Sequence, residues 1–214
     1  KFNHKILWNE GLVGATAIDI TGDPYPDETH EICLNSDAVL FGAVGDPKYD
    51  NDPTAKIRPE EGLLRMRKKL GLYANIRPTY TFDSLLKKSP IKKSIIQGTD
   101  LVFVRELTGG IYFGKRGRNK GDDYAFDTCE YNVNEIKRLA KIGFELAMKR
   151  SKKLCCIDKA NVLETSRLWR QTVQSLEKNY PEVNVSYEFV DAVAMRLIHS
   201  PSYYDVLITS NLFG

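Results

Sequence analysis

Two spacings of apolar residues alternate along this chain. Short apolar runs are bounded by glycine, proline or aspartate, and between them apolar residues return every three or four positions. The first pattern predicts buried strands and the second predicts amphipathic helices. Strands are expected over residues 5–8, 37–45, 74–82, 99–107, 153–158, 183–190 and 204–210. Helices are expected over residues 28–36, 59–72, 134–150, 163–179 and 192–199. Pro59 suits a first helical turn, and Glu60 and Glu61 behind it suit the positive end of the helix dipole. Leu63, Leu64, Arg67 and Leu70 then share roughly one face. In the helix over 134–150, Ile136, Leu139, Ala140, Gly143 and Leu146–Ala147 lie on one side. A loop rich in Asp, Pro and Lys runs to Arg58, and residues 109–131, rich in glycine and charge, read as an extended arm or long loop.

From Lys153 onward the order is strand, helix, strand, helix, strand, which is the α/β signature. Several strands are apolar throughout, as in a sheet covered on both faces. No G-x-G-x-x-G follows a strand, so a Rossmann fingerprint is absent, and "LTGGIYFGKRG" (107–117) lacks the spacing of a P-loop.

Composition narrows the classes. The chain has 214 residues, 42% of them hydrophobic and 28% charged, enough for one large domain or two small ones with a real core. With 31 basic and 28 acidic residues the net charge is +3, too weak and mixed to imply nucleic acid. The densest basic stretch, Arg65–Lys69, reads as a solvated helix face or as a receiver of an anionic substrate. Cys33, Cys129, Cys155 and Cys156 show no C-x-x-C spacing, and a disulfide framework is not expected. His4, His30 and His199 lie far apart, so no zinc site is expected. The longest apolar stretch, about residues 38–44, is far too short to span a membrane, and no secretory apolar region opens the chain. A reducing cytosol is the expected compartment.

Four polar groupings sit where strands end. Arg67, Arg77 and Arg105 offer planar forks matched to carboxylates, and together they would clamp a dianion. Each alone also reads as an exposed ion-pairing arginine. Tyr112, in "TGGIY", could donate a proton, or it could be a packed aromatic. Asp158, Lys159 and Asn161 follow a buried strand at its carboxyl end, where α/β sheets bind ligands. Lys159 there suits a general base, and equally a surface lysine. Asp191 closes the strand over 183–190 and could be one of the few carboxylates that hold magnesium, although position alone favours a helix cap.

Six stretches change the weight of these residues: "GAVGDPKYD" (42–50), "RPEEGLLRMRKKLGLYANIRP" (58–78), "VRELTGGIYFGKRG" (104–117), "DKANVLETSRLWR" (158–170), "VDAVAMRLI" (190–198) and "DVLITSNLFG" (205–214). In order and spacing they resemble the β-decarboxylating dehydrogenases of the isocitrate/isopropylmalate dehydrogenase family, along essentially the whole chain. The resemblance implies an α/β fold with a mixed sheet flanked by helices, two domains and an arm, and not a Rossmann fold. Residues 1–72 would be an incomplete first, nucleotide-side domain. Residues 73–214 would be most of the second, substrate and dimer domain, with the arm at 109–131. The chain would be truncated at both ends and inactive alone.

The implied activity is NAD-dependent oxidative decarboxylation of 3-isopropylmalate to 4-methyl-2-oxopentanoate and CO₂, a step of leucine biosynthesis. Arg67, Arg77 and Arg105 would hold the substrate carboxylates, Tyr112 would be the general acid and Lys159 the general base. Asp191 would ligate Mg²⁺ or Mn²⁺, and Glu60 and Asn161 would lie at the nicotinamide end of NAD. The active sites would be shared across a homodimer, so Lys159 and Asp191 would serve the partner's site. Leu63 and Leu64, beside Arg67, would offer an apolar patch to an isopropyl group and penalise a third carboxylate. Without the resemblance, core packing explains them. Related activities on tartrate, D-malate or homoisocitrate are the nearest alternatives. An RNA-binding module is a remote one, since no aromatic platform interleaves with the basic residues.

Overall fold

The computed structural model describes residues 3–52 and 54–214. The chain divides into two compact units, one running to Leu72 and one from Tyr73 to Gly214.

The first unit is helical. Its elements are α1 (Ala15–Thr21), α2 (Asp27–Leu34), α3 (Pro47–Asp50) and α4 (Pro59–Lys69). Gly14 enters α1 with φ 70°, and a side chain there would collide with Val44. Backbone bonds from Gly14 N to Pro24 O (2.8 Å) and from Ala15 N to Val44 O (2.8 Å) fix that corner. The start of α4 is held by Glu61, whose Oε1 accepts from the Arg58 N–H at 3.1 Å. Two cations of the basic run turn back onto this unit. Arg65 donates to Asp23 and to the Tyr25 carbonyl, and Lys69 pairs with Asp27 at 2.9 Å.

Two expected strands are absent here. Residues 5–8 and 37–45 adopt no regular structure, because a strand exists only through a pairing partner and neither finds one among the described residues. Leu7 is 80% and Leu40 84% exposed, so apolar runs that read as buried strands lie open.

The second unit is an α/β sheet. Its strands are β1 (Ala74–Tyr80), β2 (Asp100–Glu106), β5 (Lys153–Asp158), β6 (Asn184–Phe189) and β7 (Val206–Thr209), in the order β1-β2-β7-β5-β6. β1 is antiparallel to β2, and the other neighbours are parallel. The short strands β3 (Arg116–Arg118) and β4 (Ala125–Asp127) make a separate antiparallel ribbon within the segment expected to be an arm. A short helix, α5 (Lys93–Ile96), lies between β1 and β2.

Alternate residues of each strand feed two cores. On one face Val102, Val104, Leu154, Cys156, Val206 and Ile208 pack under α6 (Val133–Met148) and α7 (Glu164–Glu177). On the other, Leu101, Cys155, Ile157 and Leu207 pack under α8 (Val190–His199). The start of α6 is set by a reciprocal cap: Asn132 Oδ1 accepts from the Asn134 N–H (2.9 Å), and Glu135 Oε2 accepts from the Asn132 N–H (2.9 Å). Gly143 lets α6 lie close on β7, since a side chain there would run into Ile208. Among the described residues no helix is long and apolar enough to cross a membrane.

Candidate active site

β2, β7, β5 and β6 run parallel, so their carboxyl ends share one edge of the sheet. That edge is where open α/β sheets receive ligands. Arg105 lies near the end of β2, half-buried, opposite Asn75 of β1. Arg77 is two residues along β1 and pairs with Phe103. The two arginines are therefore diagonal neighbours on the α8 face, about 7–8 Å apart at the backbone. Arg77 also lines a cleft of about 360 Å³ floored by Phe103, Ile157, Val193 and Phe213.

Lys159 and Asp191 follow β5 and β6, which are adjacent, and their side chains meet at 2.9 Å. The Lys159 ammonium, hydrogen-bonded to it, holds the Asp191 carboxyl below its ordinary value. The backbone around Lys159 is pinned on both sides. The Lys159 N–H donates to Ser166 Oγ (3.0 Å), and the Ala160 N–H donates to Asp158 Oδ1 (2.9 Å). Asp158 is buried and grips Arg170 with two bonds of 2.7 and 3.0 Å. Arg170 in turn lies over the rings of Tyr187 and Phe189, and Lys159 Nζ lies 5.6 Å from the Phe189 ring centre. Arg105 and Ile157 both stand opposite Thr209 of β7, so by the spacing between strands they are about 10 Å apart, and Lys159 lies two residues beyond Ile157.

Tyr112 ends a single 3₁₀ turn, Gly110–Tyr112, and is 38% exposed. The loop that carries it hangs on Glu106, a fully buried carboxylate. Its oxygens accept from the Thr108 N–H (2.8 Å), the Thr108 hydroxyl (2.9 Å) and the Gly109 N–H (2.8 Å). Gly110 takes φ 74° against the Tyr131 hydroxyl, where a side chain would clash. Asn161 is exposed in the turn after β5.

Glu60, Leu63, Leu64 and Arg67 all lie on α4 in the first unit. Leu63, Leu64 and Arg67 are half-buried, while Glu60 is exposed in the first turn. Leu63 and Leu64 stand four and three residues before Arg67, so each is its neighbour on the helix surface.

Asn211, Glu106 and the pairing of Asp158 with Arg170 escape a reading of the chain alone. Their importance rests on bonds to residues between 2 and 106 positions away. The one local signal is a polar residue placed directly after, or at the end of, an apolar strand.

Arginines and a carboxylate near one edge can bind an anion and a hard cation side by side. Among the described residues no group of three or more His, Cys, Asp or Glu side chains could hold a metal. Asp191, a single exposed carboxylate, fits a magnesium-type ion that takes most of its ligands from water and substrate.

The isocitrate/isopropylmalate dehydrogenase family model matches residues 1–214 in full. The chain belongs to the isocitrate/isopropylmalate dehydrogenase family. It is 56% identical over 214 residues to a 3-isopropylmalate dehydrogenase of Bacteroides fragilis (strain YCH46), covering all of this chain and 60% of the relative. It is 52% identical over 210 residues to that of Aquifex aeolicus (strain VF5), covering 97% of this chain and 57% of the relative. A crystal structure of isocitrate dehydrogenase from Methylococcus capsulatus superposes with a TM-score of 0.85 at 27% identity, over 98% of this chain and 59% of that one. The chain thus spans about 60% of the length of the curated relatives it matches. The mixed α/β sheet flanked by helices, expected from the family resemblance, is the fold observed.

Proposed function

We propose that this chain carries part of the active site of an NAD-dependent 3-isopropylmalate dehydrogenase. The reaction yields 4-methyl-2-oxopentanoate, CO₂ and NADH, a step of leucine biosynthesis in the cytoplasm. The observation that carries this reading is the contact of Lys159 with Asp191 at 2.9 Å, just past the carboxyl ends of the adjacent parallel strands β5 and β6. The 56% identical relative named 3-isopropylmalate dehydrogenase supports the substrate.

Arg67, Arg77 and Arg105 bind the two carboxylates of the malate moiety. Leu63 and Leu64 receive the isopropyl group, whose burial is favourable where a third carboxylate would be left unpaired. Lys159 takes the proton of the C2 hydroxyl as hydride leaves C2. After CO₂ is lost, Tyr112 gives a proton to C3. Asp191 is one carboxylate of a Mg²⁺ or Mn²⁺ site, and Glu60 and Asn161 lie at the nicotinamide end of NAD. When bound, the nicotinamide supplies the two-electron acceptor and the divalent ion supplies Lewis acidity. Residues up to Leu72 belong to the nucleotide-side domain and residues from Tyr73 onward to the substrate and dimer domain. In the homodimer, Lys159 and Asp191 serve the partner's site.

The test is Lys159→Ala in the enzyme, with NADH formation and isopropylmalate binding measured separately. The expected outcome is loss of turnover by 100-fold or more, in the range of a general base, with binding still measurable. Turnover close to wild type would remove Lys159 from the mechanism. A panel of isopropylmalate, D-malate, tartrate and homoisocitrate fixes the substrate, and a preference for any of the last three would overturn the Leu63–Leu64 assignment.

A further inference from the structure

Asn211 stands at the centre of a buried hydrogen-bond junction that no reaction step above uses. It follows β7 within two residues and is fully buried. Its Oδ1 accepts from Arg105 Nε (3.3 Å) and Nη2 (3.1 Å). Its Nδ2 donates to the Gly109 carbonyl (3.0 Å), and its backbone N–H donates to the Tyr131 hydroxyl (2.9 Å). The bond to Gly109 decides which way the amide faces, because only its nitrogen can donate to a carbonyl.

We infer that Asn211 is a positioning residue that aims the Arg105 guanidinium at an anionic substrate while leaving its positive charge unspent. The inference rests on the reading of Arg105 as a carboxylate-binding residue.

The argument concerns charge. An arginine at a strand end has many rotamers, and fixing one edge of its fork removes most of that freedom before a ligand arrives. An aspartate could fix the same edge, but its carboxylate would neutralise the cation it orients. A neutral amide gives an acceptor without an opposing charge. Nη1 makes no hydrogen bond among the described residues, so that corner of the fork remains available to a carboxylate. The same amide holds Gly109, whose neighbour Gly110 opens the turn that ends in Tyr112. One side chain therefore sets the arginine and one anchor of the Tyr112 loop together.

The experiment uses Asn211→Asp and Asn211→Ala in the enzyme, each also in an Arg105→Gln background. Asn211→Asp is expected to raise the Kd for isopropylmalate at least tenfold, because the new carboxylate pairs with Arg105. In the Arg105→Gln background, where the cation is gone, the same change is expected to cost at most a few-fold. Equal losses in both backgrounds, or no loss in the first, would overturn the inference. A second readout needs no substrate. The Arg105 Nε–H signal in ¹⁵N-resolved NMR is expected to be protected from solvent exchange in wild type and to lose that protection in Asn211→Ala. An unprotected Nε–H in wild type would show that Asn211 does not hold the fork. If wild type binds no dicarboxylate while the Nε–H is protected, the substrate reading fails and the orienting bond stands.

Discussion

Single residues in the second unit owe their chemistry to burial. Cys155 and Cys156 are neighbours in β5, so their side chains point to opposite faces of the sheet and into different cores. Burial pushes the Cys155 thiol up to about 12 and raises Cys156 as well. Thiolate is the reactive form, so both should be inert in the folded chain. Cys33 and Cys129 are only half-buried. A thiol-titrating disulfide reagent should therefore label Cys33 and Cys129 first, and Cys155 and Cys156 only after denaturant is added. Prompt labelling of all four in native buffer would contradict the burial of β5. The sequence marks the vicinal pair but says nothing of its opposed environments, which belong to the two helical layers.

At the scale of elements, the sheet is tied to its helices by buried carboxylates. Asp205, just before β7, accepts from the Ser151 N–H (2.9 Å), the Ser151 hydroxyl (2.5 Å) and Arg150 Nε (2.6 Å). It thereby fastens the turn between α6 and β5 to the start of β7. Burial works to raise its pKa, but the bonds from Ser151 and Arg150 outweigh that and lower it. A carboxyl whose folded value lies below its unfolded value, about 4, stabilises the fold above that pH. The contribution is lost as pH falls through the folded value. Thermal melts of wild type and Asp205→Asn should therefore differ most near neutral pH, with the variant the less stable. The gap should narrow as the pH is taken below about 4. A gap that stays constant with pH would mean that the Asp205 charge contributes nothing. The elements themselves are largely legible. The helices expected over 134–150 and 163–179 appear as α6 (Val133–Met148) and α7 (Glu164–Glu177), because periodicity and caps are local. The carboxylate tie is not legible, since its ends lie more than 50 residues apart.

For the whole molecule, the two units each hold one tryptophan. Trp8 is 69% exposed, and Trp169, on α7, is 2% exposed in the core under the helices. Acrylamide should quench Trp8 strongly in the native chain and Trp169 hardly at all. Trp8→Phe should leave a blue-shifted, quench-resistant emission, and a quenchable remainder would show that the second unit is not packed. Contrast between the units also separates what sequence decides from what the tertiary structure decides. Residues 37–45 and 153–158 carry the same local message, an apolar run closed by a polar or glycine turn. The second becomes β5 because β6 and β7 flank it, and the first stays irregular because no strand meets it among the described residues. Periodicity, capping residues and six family-like stretches were enough to determine the α/β class and most of the helices, and to name the residues proposed to carry the chemistry. Pairing, burial and hydrogen bonds between distant positions required the folded chain. They join Lys159 to Asp191 and Arg105 to Asn211, and these contacts depend on strand order, which no local window of sequence contains.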